Sequence, residues 1–151
     1  MNDGERIWES GSVEETRRIA GEIAQDAQPG DVYALTGELG AGKTAFAGGF
    51  AAGLHVPYPE DVVSPTYTIL QIHEGGRLPL YHFDVYRLTD PEEADAIGID
   101  EYLFGDGVCL IEWASRIREL LPPRTREVIF ERRPERGEDC RRITLRQGGP
   151  A

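Results

Sequence analysis

Apolar residues recur at helical spacing near the start of the chain. Ile19, Ala20, Ile23, Ala24 and Ala27 line one face of a predicted helix over 13–27. Its start is marked by Ser12-Val13-Glu14-Glu15, a hydroxyl residue with Glu three positions on, which is the pattern of a capping box. Pro29-Gly30-Asp31 punctuates its end. The period then changes: Val32-Tyr33-Ala34-Leu35-Thr36 is short, apolar and rich in β-forming residues, as expected of a strand buried on both faces. A glycine-rich loop at 37–42 and a helix of small residues over about 43–54 follow. Residues 63–72 and 78–84 read as two strands joined by the turn Glu74-Gly75-Gly76-Arg77, an antiparallel hairpin. Asp90-Pro91-Glu92-Glu93 is a helix start, with Asp as N-cap, Pro at the first helical position and acids in the first turn. Val108-Cys109-Leu110-Ile111 is a second buried strand, residues 114–121 are helical up to Pro122-Pro123, and 127–133 pairs with 140–146 as a terminal hairpin. Strands alternating with helices, plus hairpins, predict an α/β sandwich of three layers around a mixed, mostly parallel central sheet, in one domain over 1–151.

Charge changes this picture in two ways. The net charge is -11, from 16 basic and 27 acidic residues, and Lys43 is the only lysine. No NKxD guanine-reading motif is therefore possible, no lysine-rich patch exists for general nucleic-acid binding, and any chemistry that needs a phosphate-binding amine falls to position 43. The distribution is also uneven. Residues 1–115 carry a net -15, whereas 116–151 carry ten arginines against six acids. That end suits phosphates or an acidic partner, or is simply a solvated surface.

Two cysteines, Cys109 and Cys140, are too few for a secreted disulfide scaffold. The opening residues lack a basic start followed by an apolar run, and no apolar stretch approaches the roughly 20 residues of a membrane span. The expected location is the cytoplasm. His55 and His73 lack metal-ligand spacing with each other or with cysteine.

The strongest chemical signal is Gly37-Glu38-Leu39-Gly40-Ala41-Gly42-Lys43-Thr44, which fits G-x-x-x-x-G-K-[ST] between a predicted strand and a predicted helix. Glycines 37, 40 and 42 let the backbone wrap closely around phosphate oxygens. The loop amides and the helix N-terminus offer donors and positive potential. Lys43 supplies a mobile point charge for the β- and γ-phosphates, and the Thr44 hydroxyl is placed to ligate magnesium. The metal also needs an acid. Glu112 and Asp84 both stand at the ends of predicted strands, where open α/β sheets bind ligands, and the pattern does not choose between them. Ser64-Pro65-Thr66-Tyr67 is a loop ahead of the hairpin, where a threonine can donate to a γ-phosphate or an attacking water. His82, Tyr86 and Arg87 surround Asp84. Taken alone, His82 reads as a satisfied strand histidine, and Trp113 reads as core packing or as a shield over the phosphates.

These residues form a set. GELGAGKT at 37–44, SPTYT at 64–68, HFDVYRL at 82–88, DPEE at 90–93, GI at 98–99 and the pair Glu112-Trp113 occur in the order and approximate spacing of one family. Over residues 12–145 the chain resembles the TsaE (YjeE) family, the bacterial P-loop ATPases of tRNA threonylcarbamoyladenosine biosynthesis. The resemblance implies a P-loop NTPase-like sandwich that binds ATP and magnesium. Gly37, Glu38, Leu39, Gly40, Ala41, Gly42, Lys43 and Thr44 would hold ATP, with Lys43 on its phosphates, and Thr44 and Glu112 would be the magnesium ligands. Asp84 would be a catalytic or metal-supporting acid and Thr66 a switch residue near the γ-phosphate. Ser12 and Val13 would approach the adenine, as would backbone near Gly137 or Glu138. It further implies an ATPase that is weak alone and acts with the TsaD–TsaB pair, its hydrolysis resetting that complex between turnovers, with tRNA reached only through the complex.

Two other functions share the phosphate loop. A small P-loop kinase would phosphorylate a small molecule under an arginine-bearing lid, for which Arg116, Arg118, Arg124 and Arg126 are available. A nucleotide sensor would use Asp84 and Glu112 only to order the metal.

Overall fold

In the computed structural model, which describes residues 5–37, 42–63, 69–88 and 90–147, the chain runs through β1 (Glu5–Ser10), α1 (Val13–Gln25), β2 (Val32–Gly37), α2 (Lys43–Gly53) and a 3₁₀ turn (Pro59–Asp61). There follow β3 (Leu70–His73), β4 (Leu80–Asp84), α3 (Pro91–Ala96), α4 (Ile99–Leu103), β5 (Val108–Glu112), a 3₁₀ segment (Ala114–Leu120), β6 (Arg126–Arg132) and β7 (Arg141–Arg146). The strands make one mixed sheet in the order β1-β7-β6-β2-β5-β4-β3. Its centre is parallel, through β6·β2, β2·β5 and β5·β4, and its two flanks are antiparallel.

Each face of the sheet carries its own apolar core. Leu35, Leu80, Leu110, Val128 and Ile143 pack with Ile19, Ile23, Phe46 and Phe50 under α1 and α2. On the opposite face, Val32, Phe83, Cys109 and Ile111 pack with Ala94, Ile99, Leu103 and Ile117 under α3, α4 and the second 3₁₀ segment. These are the three expected layers. The alternation of β4 explains the split: Leu80, His82 and Asp84 face the α1–α2 layer, and Phe83 faces the other.

Helix α1 begins as its sequence requires. The Ser12 hydroxyl accepts from Glu15 N–H at 3.0 Å, while the Glu15 carboxylate reaches Gly11 N–H, one residue ahead of the usual capping-box partner. Helices α1 and α2 meet at backbone distance. A Cβ on Gly49 would strike the Arg17 backbone, and one on Gly53 would lie 2.7 Å from Gly21 O.

The structure differs from expectation at four places. The strand expected over 63–72 is realised among the described residues only as Leu70–His73. Residues 114–120 form 3₁₀ rather than α-helix, kinked at Ile117. Strand β1 was not expected, because Ile7 and Trp8 are adjacent and give no alternation. Helix α4 is only five residues, too short for a periodic signal. Among the described residues no helix is long and apolar enough to cross a membrane.

The arginine-rich end is largely occupied within the chain. Arg136 and Arg142 both pair with Glu9, Arg146 with Glu5 and Glu127, and Arg133 with Glu135. The hydrogen bond from Arg142 holds the Glu9 carboxyl below its ordinary range. Arg124 donates to the Gly30 and Leu103 carbonyls, tying the chain after the 3₁₀ segment to both neighbouring loops.

Cys109 is fully buried, and burial pushes its thiol up to about 12. The same cause raises the Tyr33 phenol to about 12. Both groups bind their protons more tightly folded than unfolded, so their contribution is complete below the unfolded values of 9.0 and 10.0 and is lost as pH rises through about 12. Iodoacetamide at pH 8 is accordingly expected to alkylate one thiol per folded chain, at Cys140, and both in urea; mass spectrometry of the labelled chain reads this directly. Alkylation of Cys109 in the folded chain would contradict the packing.

Candidate functional site

The residues singled out from sequence converge on one edge of the sheet. Strands β2, β5, β4 and β6 are parallel, so their C-terminal ends lie together, and β1 runs the same way through two antiparallel steps. That edge therefore collects Gly37, Glu112 and Asp84, the last residues of β2, β5 and β4, with Gly137 after β6 and Ser12 and Val13 after β1. Leu35, Glu112 and Asp84 stand on a single register line across β2, β5 and β4. Helix α2 starts at the same edge. Gly42, at φ 103°, lies in the left-handed region that glycine tolerates and turns the chain into the helix. A Cβ on Gly42 would lie 3.8 Å from Thr16 Cγ2 of α1, so the start of α1 lies beside the start of α2. Glu38, Leu39, Gly40, Ala41 and Thr66 lie outside the described residues.

Lys43 is 7% exposed. Its ammonium donates to the Gly37 carbonyl at 3.1 Å, bridging the two ends of the glycine-rich loop. It also sits 4.8 Å from the centre of the Trp113 ring. Trp113 in turn packs against Tyr86, and Arg116 lies over the Tyr86 ring, so Lys43, Trp113, Tyr86 and Arg116 form one chain of cation–aromatic contacts. Trp113 holds this place with φ 63°, an uncommon conformation for an aromatic residue. It therefore both packs on the core and shields Lys43. Thr44 is exposed on the first turn of α2. A cleft of about 440 Å³ opens beside Lys43, Gly37 and Trp113, and another of about 530 Å³ opens beside Thr44 and Glu14.

The two acids differ in environment. Asp84 is half-buried, and its carboxylate accepts from Tyr86 N–H at 3.0 Å. Glu112 is 4% exposed, and its Oε2 lies 2.7 Å from Nε2 of His82, itself fully buried.

The family described as "Threonylcarbamoyl adenosine biosynthesis protein TsaE" matches residues 10–143. The chain belongs to the TsaE family. Among its relatives, the tRNA threonylcarbamoyladenosine biosynthesis protein TsaE of Bacillus subtilis is 48% identical over 138 residues, covering 91% of this chain and 83% of that protein. The protein of the same name from Treponema pallidum is 43% identical over 116 residues, covering 77% and 84%. The crystal structure of Bacillus subtilis YdiB matches with a TM-score of 0.81 at 43% identity, over 96% of this chain and 86% of that one.

Two features of this TsaE-family site were not drawn from the sequence. One is the contact of His82 with Glu112: His82 and Asp84 alternate on β4, but the sequence does not show that Asp84 is the register partner of Glu112. The other is the seat of Lys43 on Trp113, which depends on the left-handed turn after β5 and has no local sequence mark.

Proposed function

We propose that this protein is the ATP-binding and ATP-hydrolysing subunit of the bacterial machinery that makes threonylcarbamoyladenosine in tRNA, working in the cytoplasm with a TsaD–TsaB pair and resetting that complex between turnovers. The reading rests above all on the shared edge, where the only lysine and the first turn of α2 meet Glu112 and Asp84 at the ends of parallel strands. The names of the TsaE relatives supply the pathway.

Lys43 and the amides at the start of α2 bring positive potential to the phosphates. Magnesium fits the donors available, a Thr44 hydroxyl and a Glu112 carboxylate. Among the described residues no three His, Cys, Asp or Glu side chains group to hold a metal, which suits an ion that takes its remaining ligands from nucleotide phosphates and water. When bound, it would neutralise charge on the β- and γ-phosphates. Asp84, fixed by the Tyr86 amide, is the acid available to orient an attacking water, and Thr66 is the switch donor to the γ-phosphate. Ser12, Val13 and Gly137 border the adenine. The acidic body, net -15 over residues 1–115, opposes direct tRNA binding, and Arg133, Arg136, Arg142 and Arg146 of the arginine-rich end are engaged with Glu5, Glu9, Glu127 and Glu135.

The test is phosphate release by the purified chain, alone and with TsaD–TsaB. Slow turnover alone, a clear rise with the partners and no phosphorylated acceptor are expected. Removing a partner one step out from a metal costs about 10–100-fold. Glu112→Gln, which changes the ligand itself, should lower stimulated turnover at least about a hundredfold while ATP still binds. A chain that binds no ATP, or that ignores the partners, would refute the proposal.

A further inference from the structure

We infer that His82 is a positioning residue for the Glu112 carboxylate, and that it acts on magnesium binding through Glu112 rather than by touching nucleotide. This rests on the reading of Glu112 as a magnesium ligand. Three observations carry it. His82 is fully buried in the middle of β4, between Leu110 of β5 and Gln71 of β3 in the register, with Leu80 before it on the same face. An imidazole there costs desolvation that an apolar side chain would not. Its Nε2 lies 2.7 Å from Glu112 Oε2, and the pair is sealed from water, with side-chain exposures of 0% and 5%. Its Nδ1 is buried and has no hydrogen-bond partner among the described residues. The ring therefore has one polar engagement, with Glu112.

The direction of that bond follows from the form of Glu112 that can hold a cation. An ionised carboxylate has only acceptor sites, so the ring carries its proton on Nε2 and donates to Oε2. A side chain with a single buried partner cannot change rotamer without losing it. His82 thus fixes the plane of the Glu112 carboxylate at the end of β5, as outer partners commonly orient metal ligands.

The test uses the full chain and a fluorescent ATP analogue whose binding is titrated at varied magnesium and, separately, in EDTA. His82→Asn puts its amide near the place of Nδ1 and cannot reach Glu112, whereas His82→Gln puts its amide near the place of Nε2. His82→Asn is expected to raise the magnesium concentration for half-maximal binding by roughly 10–100-fold, with metal-free affinity unchanged. His82→Gln should return it to within about threefold of the parent chain. Adding His82→Asn to Glu112→Gln should have no further effect, since the two act as one unit. Circular dichroism confirms folding of each variant, and ¹⁵N spectra of the histidine rings in the unsubstituted chain must show a proton on Nε2, whatever the variants do. An Nε2 without a proton, a folded His82→Asn with parental magnesium dependence, or a folded His82→Gln no better than His82→Asn would overturn the inference. If Glu112→Gln itself leaves magnesium dependence unchanged, it is the magnesium reading of Glu112 that fails. If Glu112→Gln shifts it and His82→Asn does not, only the role of His82 fails.

Discussion

Lys43→Arg is expected to lower kcat/KM for ATP by a factor on the order of 10²–10³, the cost typical of removing a preorganised charge from a developing anion. The substitution keeps the charge, so charge alone would predict little change. The seat of the side chain predicts otherwise. The ammonium is enclosed between the Gly37 carbonyl at 3.1 Å and the Trp113 ring at 4.8 Å, with 7% of the residue exposed. A guanidinium is broader, planar and one bond longer in reach, and it presents donors in a fixed fork rather than three rotating ones. It will stack on Trp113 and stay there, instead of following the phosphates. Nucleotide titration and steady-state turnover of the variant check this. An arginine variant with parental kcat/KM would show that position 43 supplies only charge.

Gly49→Ala should destabilise the molecule by about 2–3 kcal/mol, or roughly 4–12 °C in Tm for a chain of this size. The added Cβ would lie 2.6 Å from Arg17 Cα and 2.7 Å from Arg17 C, so two helix backbones must part. Gly48→Ala is the matched control one position away. Its Cβ would meet only Pro59 O, at 3.5 Å, an ordinary contact. Alanine there gains helix propensity of up to about 1 kcal/mol, so Gly48→Ala should be neutral or slightly stabilising. Thermal melts of the two variants side by side decide it. Equal losses would mean that helix propensity, and not the close crossing, governs these glycines. Because that crossing sets where α2 begins, Gly49→Ala should also weaken ATP binding, and Gly48→Ala should not.

What could be read from the chain depended on how local its physical cause was. The cap at Ser12, the helix start at Asp90 and the buried strands at 32–36 and 108–111 each follow from neighbouring residues, and each was found where expected. The terminal hairpin was likewise legible, within one residue at either strand. Strand β1 was not, because it is held from outside: its pairing comes from β7, and its charged face is matched by arginines far along the chain. The site divides in the same way. Lys43, Thr44, Asp84 and Glu112 announce themselves by motif or by position at a strand end. The bond that ties Glu112 to His82 is a meeting of two strands 30 positions apart, invisible until the register of β4 and β5 is known.

The pairing of β1 bears on how the protein is made. Glu5 and Arg146 are 141 positions apart, yet they face each other across the sheet. Of the described strands, the first to be synthesised thus has the last as its ladder partner, and β1 must wait through translation of nearly everything described here before it can pair. Until then β6 is an open edge at the side of a parallel centre, the arrangement most exposed to mispairing during folding. The glutamates of β1 and the arginines of β6 and β7 keep these waiting edges charged. The ion pairs that stitch the finished sheet are, earlier in the life of the chain, what keeps its unfinished edges from sticking to the wrong strand.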